Sequence, residues 1–438
     1  MSLATLTALL LSALFVGVLT WRVEAGLACL LGVKLFEFTF GLNATVIGRL
    51  HLSATDIVLM GLLVAGAIRF VRHLGTVNAP RLMAAGYVVL FAWSFARGVS
   101  ANGVLAAANE ARGFVGPLAA LLYFAGAAAD EASMGRAVRI YLAFGAVLCV
   151  VLVLATLGFP VGTAASAHFT GDDTRLLPSN AAAAIAVCGF LALARATYVS
   201  SRISSLGLPW IFFIAAIDLR HRTVWMMLLA GIVALLFVDR PLFRRIVPIA
   251  LLGSAVVAGL VLLAGDKEPG IASRGEFAQA LSNAETWQWR VDSWQDFLFD
   301  ADQTPQTILF GRPMGSGWGR IDPESHLLDS APPHSEYVTE YLRVGLLGLV
   351  ALVTFALRPL AIITRNSAAF DPFYPSTSIW AVIVLVTLVY GIPYSIEPEL
   401  YAVLGFASAL ADGMNETQAT FVQLGPDPCP ATAPLCAH

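Results

Sequence analysis

Runs of apolar residues long enough to cross a bilayer recur along the chain, parted by short polar breaks. They predict apolar helices near residues 3–20, 25–41, 52–70, 82–98, 113–128, 138–159, 180–197, 205–219, 223–238, 246–265, 343–364, 377–394 and 399–412. The breaks carry helix-ending residues, among them Asn78–Pro80, Phe159–Pro160, Leu177–Pro178, Arg240–Pro241 and Arg358–Pro359. The fold class that follows is all-α, a polytopic transmembrane helix bundle. About 12 spans are expected if one segment is merged or re-entrant, with 25–41 and its Lys34 and Glu37 as the candidate. No internal repeat is visible, which weakens a transporter built on inverted repeats.

Composition agrees with this pattern. The chain is 58% hydrophobic and only 13% charged, about half the charge of a soluble globular protein. A net charge of -3 gives no basic surplus, so no nucleic-acid partner is expected. Leu3–Thr20 lacks a basic leader and a small-residue cleavage site, and is expected to stay as a span. The five cysteines show no metal-ligand spacing.

One connection is long, about 70 residues from Asp266 to Tyr337, and holds Trp287, Trp289, Trp294 and Trp318. So many aromatics argue for order, and a small helical subdomain with a helix near Ala284–Phe299 is expected. The short loops opposite this connection carry thirteen arginines and those on its own side six, which places the long loop outside the cytoplasm. The chain divides into N-terminal helices 1–204, a core 205–365 that includes loop 266–337, C-terminal helices 366–412 and a tail 413–438 expected to be disordered.

Three groups of polar residues fall on the outer side. The first is Asp218-Leu-Arg220-His221-Arg222-Thr-Val-Trp225, a charged hinge between two apolar segments. Either Asp218 pairs with an arginine to close a turn, or a guanidinium remains available for phosphate oxygens. In the second, Arg290 and Trp294 share a helix face at i, i+4, a spacing that also suits a cation–π or structural pairing. The glycine-rich run from Gly311 through Gly317 to Gly319 suits a tight turn or close approach to a ligand. In the third, Pro332-Pro333-His334-Ser335-Glu336 leads into a membrane-entering helix, which would present the His334 imidazole at the mouth of the bundle. Glu336 is a candidate to orient that ring. Metal binding through His326, His334, Glu336 and Glu340 matches no standard zinc spacing, so no metal is expected.

In chain order these features resemble the O-antigen ligase and O-antigen polymerase superfamily of bacterial membrane glycosyltransferases. The resemblance rests on Arg222-Thr-Val-Trp225 at the start of a span, Arg290-x-x-x-Trp294, the Gly311–Gly319 turn and a His before a helix with Gly345-Leu-Leu-Gly348-Leu, and covers roughly 205–365. It implies a multi-pass protein of the bacterial inner membrane with its site facing the periplasm under one large periplasmic loop subdomain. The implied reaction moves a glycan from a polyprenyl-diphosphate carrier to an acceptor hydroxyl, without metal, nucleotide sugar or other cofactor. The implied partners are the polyprenyl-diphosphate-linked oligosaccharide donor, a lipid A core or carrier-linked glycan acceptor, and membrane lipids. By the same resemblance His334 is catalytic, and Arg222 and Arg290, with Arg220 as an alternative to Arg222, bind the diphosphate. Trp294, Glu336, Gly311 and Gly317 are the supporting residues. A glycosyl diphosphate already has a good leaving group, so arginines to stabilise it and a base of pKa near 6.5 for the acceptor suit the chemistry. The competing reading is a transporter or flippase of lipid-linked oligosaccharides, and a further one is a non-catalytic assembly scaffold.

Overall fold

The computed structural model describes residues 3–40, 45–47, 50–72, 79–126, 131–162, 176–199, 207–240, 242–244, 285–299, 303–318, 320–321, 328–329, 332–370 and 377–424. The described chain is helical: α1 Leu3–Trp21, α2 Val23–Phe40, α3 Ala54–Arg72, α4 Ala79–Asn102, α5 Val104–Ala111, α6 Val115–Ala119, α7 Glu131–Thr156, α8 Ser179–Val199, α9 Gly207–Asp218 and α10 Arg222–Val238. After these come α11 Glu285–Phe299, α12 Pro305–Phe310, α13 Glu336–Phe370, α14 Thr377–Tyr390 and α15 Pro398–Leu424. Two short antiparallel ribbons lie in connections, Thr45–Ile47 with Leu50–Leu52 and Arg320–Ile321 with Leu328–Asp329.

Among the described residues four helices are long and apolar enough to cross a membrane, Ala54–Arg72, Arg81–Asn102, Ala132–Thr156 and Glu336–Asn366, and α1 with α2 make a fifth if their bent pair is one span. This marks a membrane protein. Ser179–Arg195, Gly207–Asp218, Arg222–Val238 and Thr377–Tyr390 are apolar but shorter. The expected segment 246–265 lies outside the described residues, as does loop 266–284.

The α1–α2 bend is 120°, at the pair of segments where one was expected to merge or re-enter. The Tyr123 hydroxyl donates to the carbonyls of Leu19 (2.8 Å) and Arg22 (3.2 Å), satisfying helix-end acceptors away from water. Gly26 leaves room for this ring, since a Cβ there would sit 2.3 Å from the Tyr123 hydroxyl oxygen.

The continuous span expected at 113–128 is replaced by a broken stretch: a 3-10 turn at Arg112–Phe114, α6, and a π turn at Ala120–Phe124. Pro117 removes a donor inside it, which is why the hydropathy window overestimates its regularity. The tail also differs from expectation, because α15 runs on to Leu424. Residues 414–424 contain neither Gly nor Pro, and the first helix-breaking pair is Gly425–Pro426. Residues 425–438 lie outside the described residues.

At the centre is α8, whose residues Ala181 to Cys188 are completely buried. A helix apolar on all faces is stable only when neighbours cover it, and α7, α9, α10 and α14 do so here. Long-range polar pairs sort the helix ends into two sets. One end carries Arg136–Glu24 (2.7 Å), Arg358–Asp412 (2.5 Å) and Ser378–Asp239 (3.2 Å). The opposite end carries Arg112–Asp56 (2.7 Å), Lys34–Glu397 (3.1 Å) and the three polar groups singled out above.

Candidate functional site

The helix expected near Ala284–Phe299 is α11, and it places Arg290 and Trp294 one turn apart. Arg290 does not pair with Trp294. Its guanidinium lies over the Tyr394 ring at 4.6 Å, while Trp294 meets Trp287 edge-on at 5.5 Å. Asp292, the nearest carboxylate in sequence, accepts instead from Gln288 at 2.8 Å. Among the described residues, Arg290 Nε and the Trp294 indole nitrogen are buried without a hydrogen-bond acceptor. Buried donors without acceptors are costly unless a ligand or a water molecule supplies oxygen atoms.

His334 stands beside them, because Trp289, the neighbour of Arg290, packs its ring 5.9 Å from the imidazole. Two residues on, α13 begins at Glu336, whose N–H donates to the carbonyls of Gly391 (3.0 Å) and Tyr394 (3.2 Å). The Glu336 carboxylate is buried, and its two oxygens accept from Tyr401 O–H (2.6 Å) and Ile396 N–H (2.8 Å). The Glu336 carboxylate thus fixes segment 391–401 against the start of α13, two residues after His334. On the next turn Glu340 accepts from Tyr87 O–H at 2.6 Å.

The first group closes a helical hairpin. Arg220 has a left-handed φ of 59°, and the Trp225 indole donates back to the Ile217 carbonyl at 3.1 Å. That bond gives Trp225 a structural role in its motif. His221 is buried with Nε2 2.9 Å from the Leu177 carbonyl, and Arg222 is the first residue of α10. Two residues after Leu177, Ser179 meets the Tyr390 hydroxyl at 3.1 Å, and Tyr390 stacks on Tyr394 at 5.4 Å and 13°. The second and third groups thus meet directly, and the first joins them through Leu177, Ser179, Tyr390 and Tyr394.

Sequence reasoning missed Tyr390, Tyr394 and Tyr401. Their signal was the run Tyr390-Gly-Ile-Pro-Tyr394-Ser-Ile-Glu-Pro-Glu-Leu-Tyr401, three tyrosines in a break between apolar helices.

The glycine-rich turn approaches protein. Gly311 (φ 73°), Gly315 (φ 84°) and Gly317 (φ 74°) are all left-handed. A Cβ on Gly311 would lie 2.3 Å from the Arg343 carbonyl carbon, and one on Gly315 2.7 Å from the Ala107 nitrogen. Arg97 donates to the carbonyls of Phe310 (2.5 Å) and Gly311 (2.9 Å), and Asn102 to that of Met314 (2.9 Å). α13 breaks at Gly345 (φ 78°), where the Leu309 carbonyl fits against its bare α-carbon. Around Gly317, by contrast, nothing lies within 4 Å of an added Cβ. We expect Gly311→Ala to lose roughly 2–5 kcal/mol, from backbone strain together with overpacking, and Gly317→Ala only about 1–3 kcal/mol from strain. Thermal unfolding of the two variants in detergent checks this order, and equal losses would contradict it.

No protein-family model matches the chain, and no curated protein is significantly similar to it. Among the described residues no group of three or more His, Cys, Asp or Glu gathers to hold a metal, and His326 lies outside them.

Proposed function

We propose that this protein is a membrane glycosyltransferase of the O-antigen ligase or polymerase type, transferring a glycan from a polyprenyl-diphosphate carrier to an acceptor hydroxyl. In this reading about twelve spans cross the bacterial inner membrane and loop 266–337 caps the site on the periplasmic face. The observation that carries it is a pair of buried, acceptor-less donors on α11: Arg290 Nε, one residue from the Trp289 that packs on His334, and the Trp294 indole nitrogen one helical turn further on. The transfer needs both an oxyanion site and a base, and these residues could supply the two.

In the proposed step, His334 takes the proton of the acceptor hydroxyl as its oxygen bonds to the anomeric carbon. The bond from that carbon to the phosphate oxygen breaks, and the diphosphate leaves with the electron pair. Arg290 and Trp294, with Arg222 or Arg220 from the neighbouring hairpin, stabilise the charge on the leaving oxygens. Direct displacement inverts the anomeric centre. The carrier's polyprenyl tail would stay in lipid while its diphosphate sits among the helix ends.

The test is turnover of purified protein on a polyprenyl-diphosphate oligosaccharide with lipid A core or carrier-linked acceptors. His334→Ala is expected to lower kcat by about 10²–10⁴-fold, and Arg290→Ala by about 10²–10³-fold, with folding intact. Product of retained anomeric configuration would overturn direct displacement. Wild-type protein that transfers nothing yet moves labelled carrier lipid across proteoliposomes would establish the flippase reading in its place.

A further inference from the structure

We infer that Tyr394 is a positioning residue for Arg290, holding its guanidinium by an aromatic face so that the charge and the in-plane N–H donors stay available to a diphosphate. The diphosphate in this statement rests on the proposed transfer reaction; the positioning rests on geometry alone.

The partner that holds a guanidinium in place decides what the group can do. A carboxylate partner would neutralise it and occupy its fork of donors. An aromatic face attracts the cation from one side of its plane and uses none of the N–H groups. Arg290 is held in the second way: its carbon centre lies 4.6 Å from the Tyr394 ring centroid, no carboxylate pairs with it among the described residues, and its buried Nε donates to nothing there. The acceptor missing from this arrangement is the one a phosphate oxygen would provide.

Tyr394 is itself fixed from three directions. Its ring lies nearly parallel to that of Tyr390 (5.4 Å, 13°), whose hydroxyl contacts Ser179 at 3.1 Å. Its carbonyl accepts the Glu336 N–H at 3.2 Å, which ties it to the turn bearing His334. Two residues on, the Ile396 N–H donates to the Glu336 carboxylate at 2.8 Å. The ring under Arg290 and the backbone beside His334 are therefore linked through the N–H and carboxylate of Glu336.

The test uses the full-length protein in nanodiscs and two measurements that need no transferase activity. The first is affinity for inorganic pyrophosphate in wild type, Arg290→Ala, Tyr394→Leu and Tyr394→Phe. Tyr394→Leu is expected to weaken binding about tenfold, whereas Tyr394→Phe, which keeps the aromatic face, stays within about twofold of wild type. The second is the rate at which phenylglyoxal modifies Arg290, followed by peptide mass spectrometry, which is expected to rise in Tyr394→Leu and not in Tyr394→Phe. A role limited to folding would lower the thermal midpoint of Tyr394→Leu without separating Leu from Phe in either measurement, and that result overturns the inference. So does wild-type protein that binds no pyrophosphate. If the variants separate as stated but wild type transfers no glycan, the positioning role stands and the proposed reaction falls.

Discussion

Arg343→Met is expected to destabilise the protein by about 3–5 kcal/mol, the range found when one member of a buried ion pair is removed and the other is stranded. Arg343 is 1% exposed and bonds to Glu110 at 2.5 Å, to the Gly317 carbonyl at 2.6 Å and to Ser316 Oγ at 3.0 Å. Its guanidinium also lies over the Trp318 ring at 4.0 Å. Glu110 accepts the Gly315 N–H as well, so one carboxylate and one guanidinium together clamp the glycine-rich turn between α5 and α13. Methionine keeps much of the volume and loses every polar contact, leaving Glu110 buried without its cation. The double variant Arg343→Met with Glu110→Gln should recover part of the loss. A single variant within about 1 kcal/mol of wild type in thermal unfolding would show that the clamp contributes little.

This clamp shows where legibility in the sequence ends. The helices α3, α4, α7, α8, α10 and α14 follow the apolar pattern closely, because burial in lipid or in the bundle acts on each segment locally. Helix α11 was also legible, from its tryptophans and its i, i+4 pair. The break at Gly345, the fragmentation around Pro117 and the role of Arg343 were not. Arg343 depends on a partner far along the chain, Glu110, which lies 233 positions before it, as Glu340 depends on Tyr87, 253 positions away; the break at Gly345 depends on the Leu309 carbonyl against it. Hydropathy carries no information on such pairs. The same holds for Tyr394, which has a role only because α11 and the end of α14 meet. The glycine-rich turn was ambiguous in the sequence for a related reason, since a bare α-carbon allows close approach without naming what approaches. Around Gly311 and Gly315 it is backbone of α13 and α5.

Lys34→Met should produce a loss of similar size, about 3–5 kcal/mol, with a consequence for the site as well. Lys34 Nζ lies 3.1 Å from Glu397, 3.7 Å from Glu399 and 4.0 Å from Glu37, with both Lys34 and Glu399 buried. Glu37 has further support, as both its oxygens accept from Thr55 (3.1 and 2.7 Å). Glu399 has none: among the described residues neither of its side-chain oxygens finds a hydrogen-bond donor, so Lys34 is its main compensation. Removing that charge exposes Glu399 to the full desolvation cost at the first turn of α15. Segment 391–401 would then loosen from one side while Glu336 still holds Ile396 and Tyr401 from the other. The expected outcome is a lowered unfolding midpoint together with faster phenylglyoxal modification of Arg290, although Lys34 touches neither Arg290 nor Tyr394 in any pairing described above. Adding Glu399→Gln should restore most of the midpoint, because a neutral amide no longer needs the lysine. If the midpoint recovers and the Arg290 reactivity remains high, Lys34 holds the segment through Glu397, the nearer carboxylate; if both recover, the stranded charge on Glu399 was the cause.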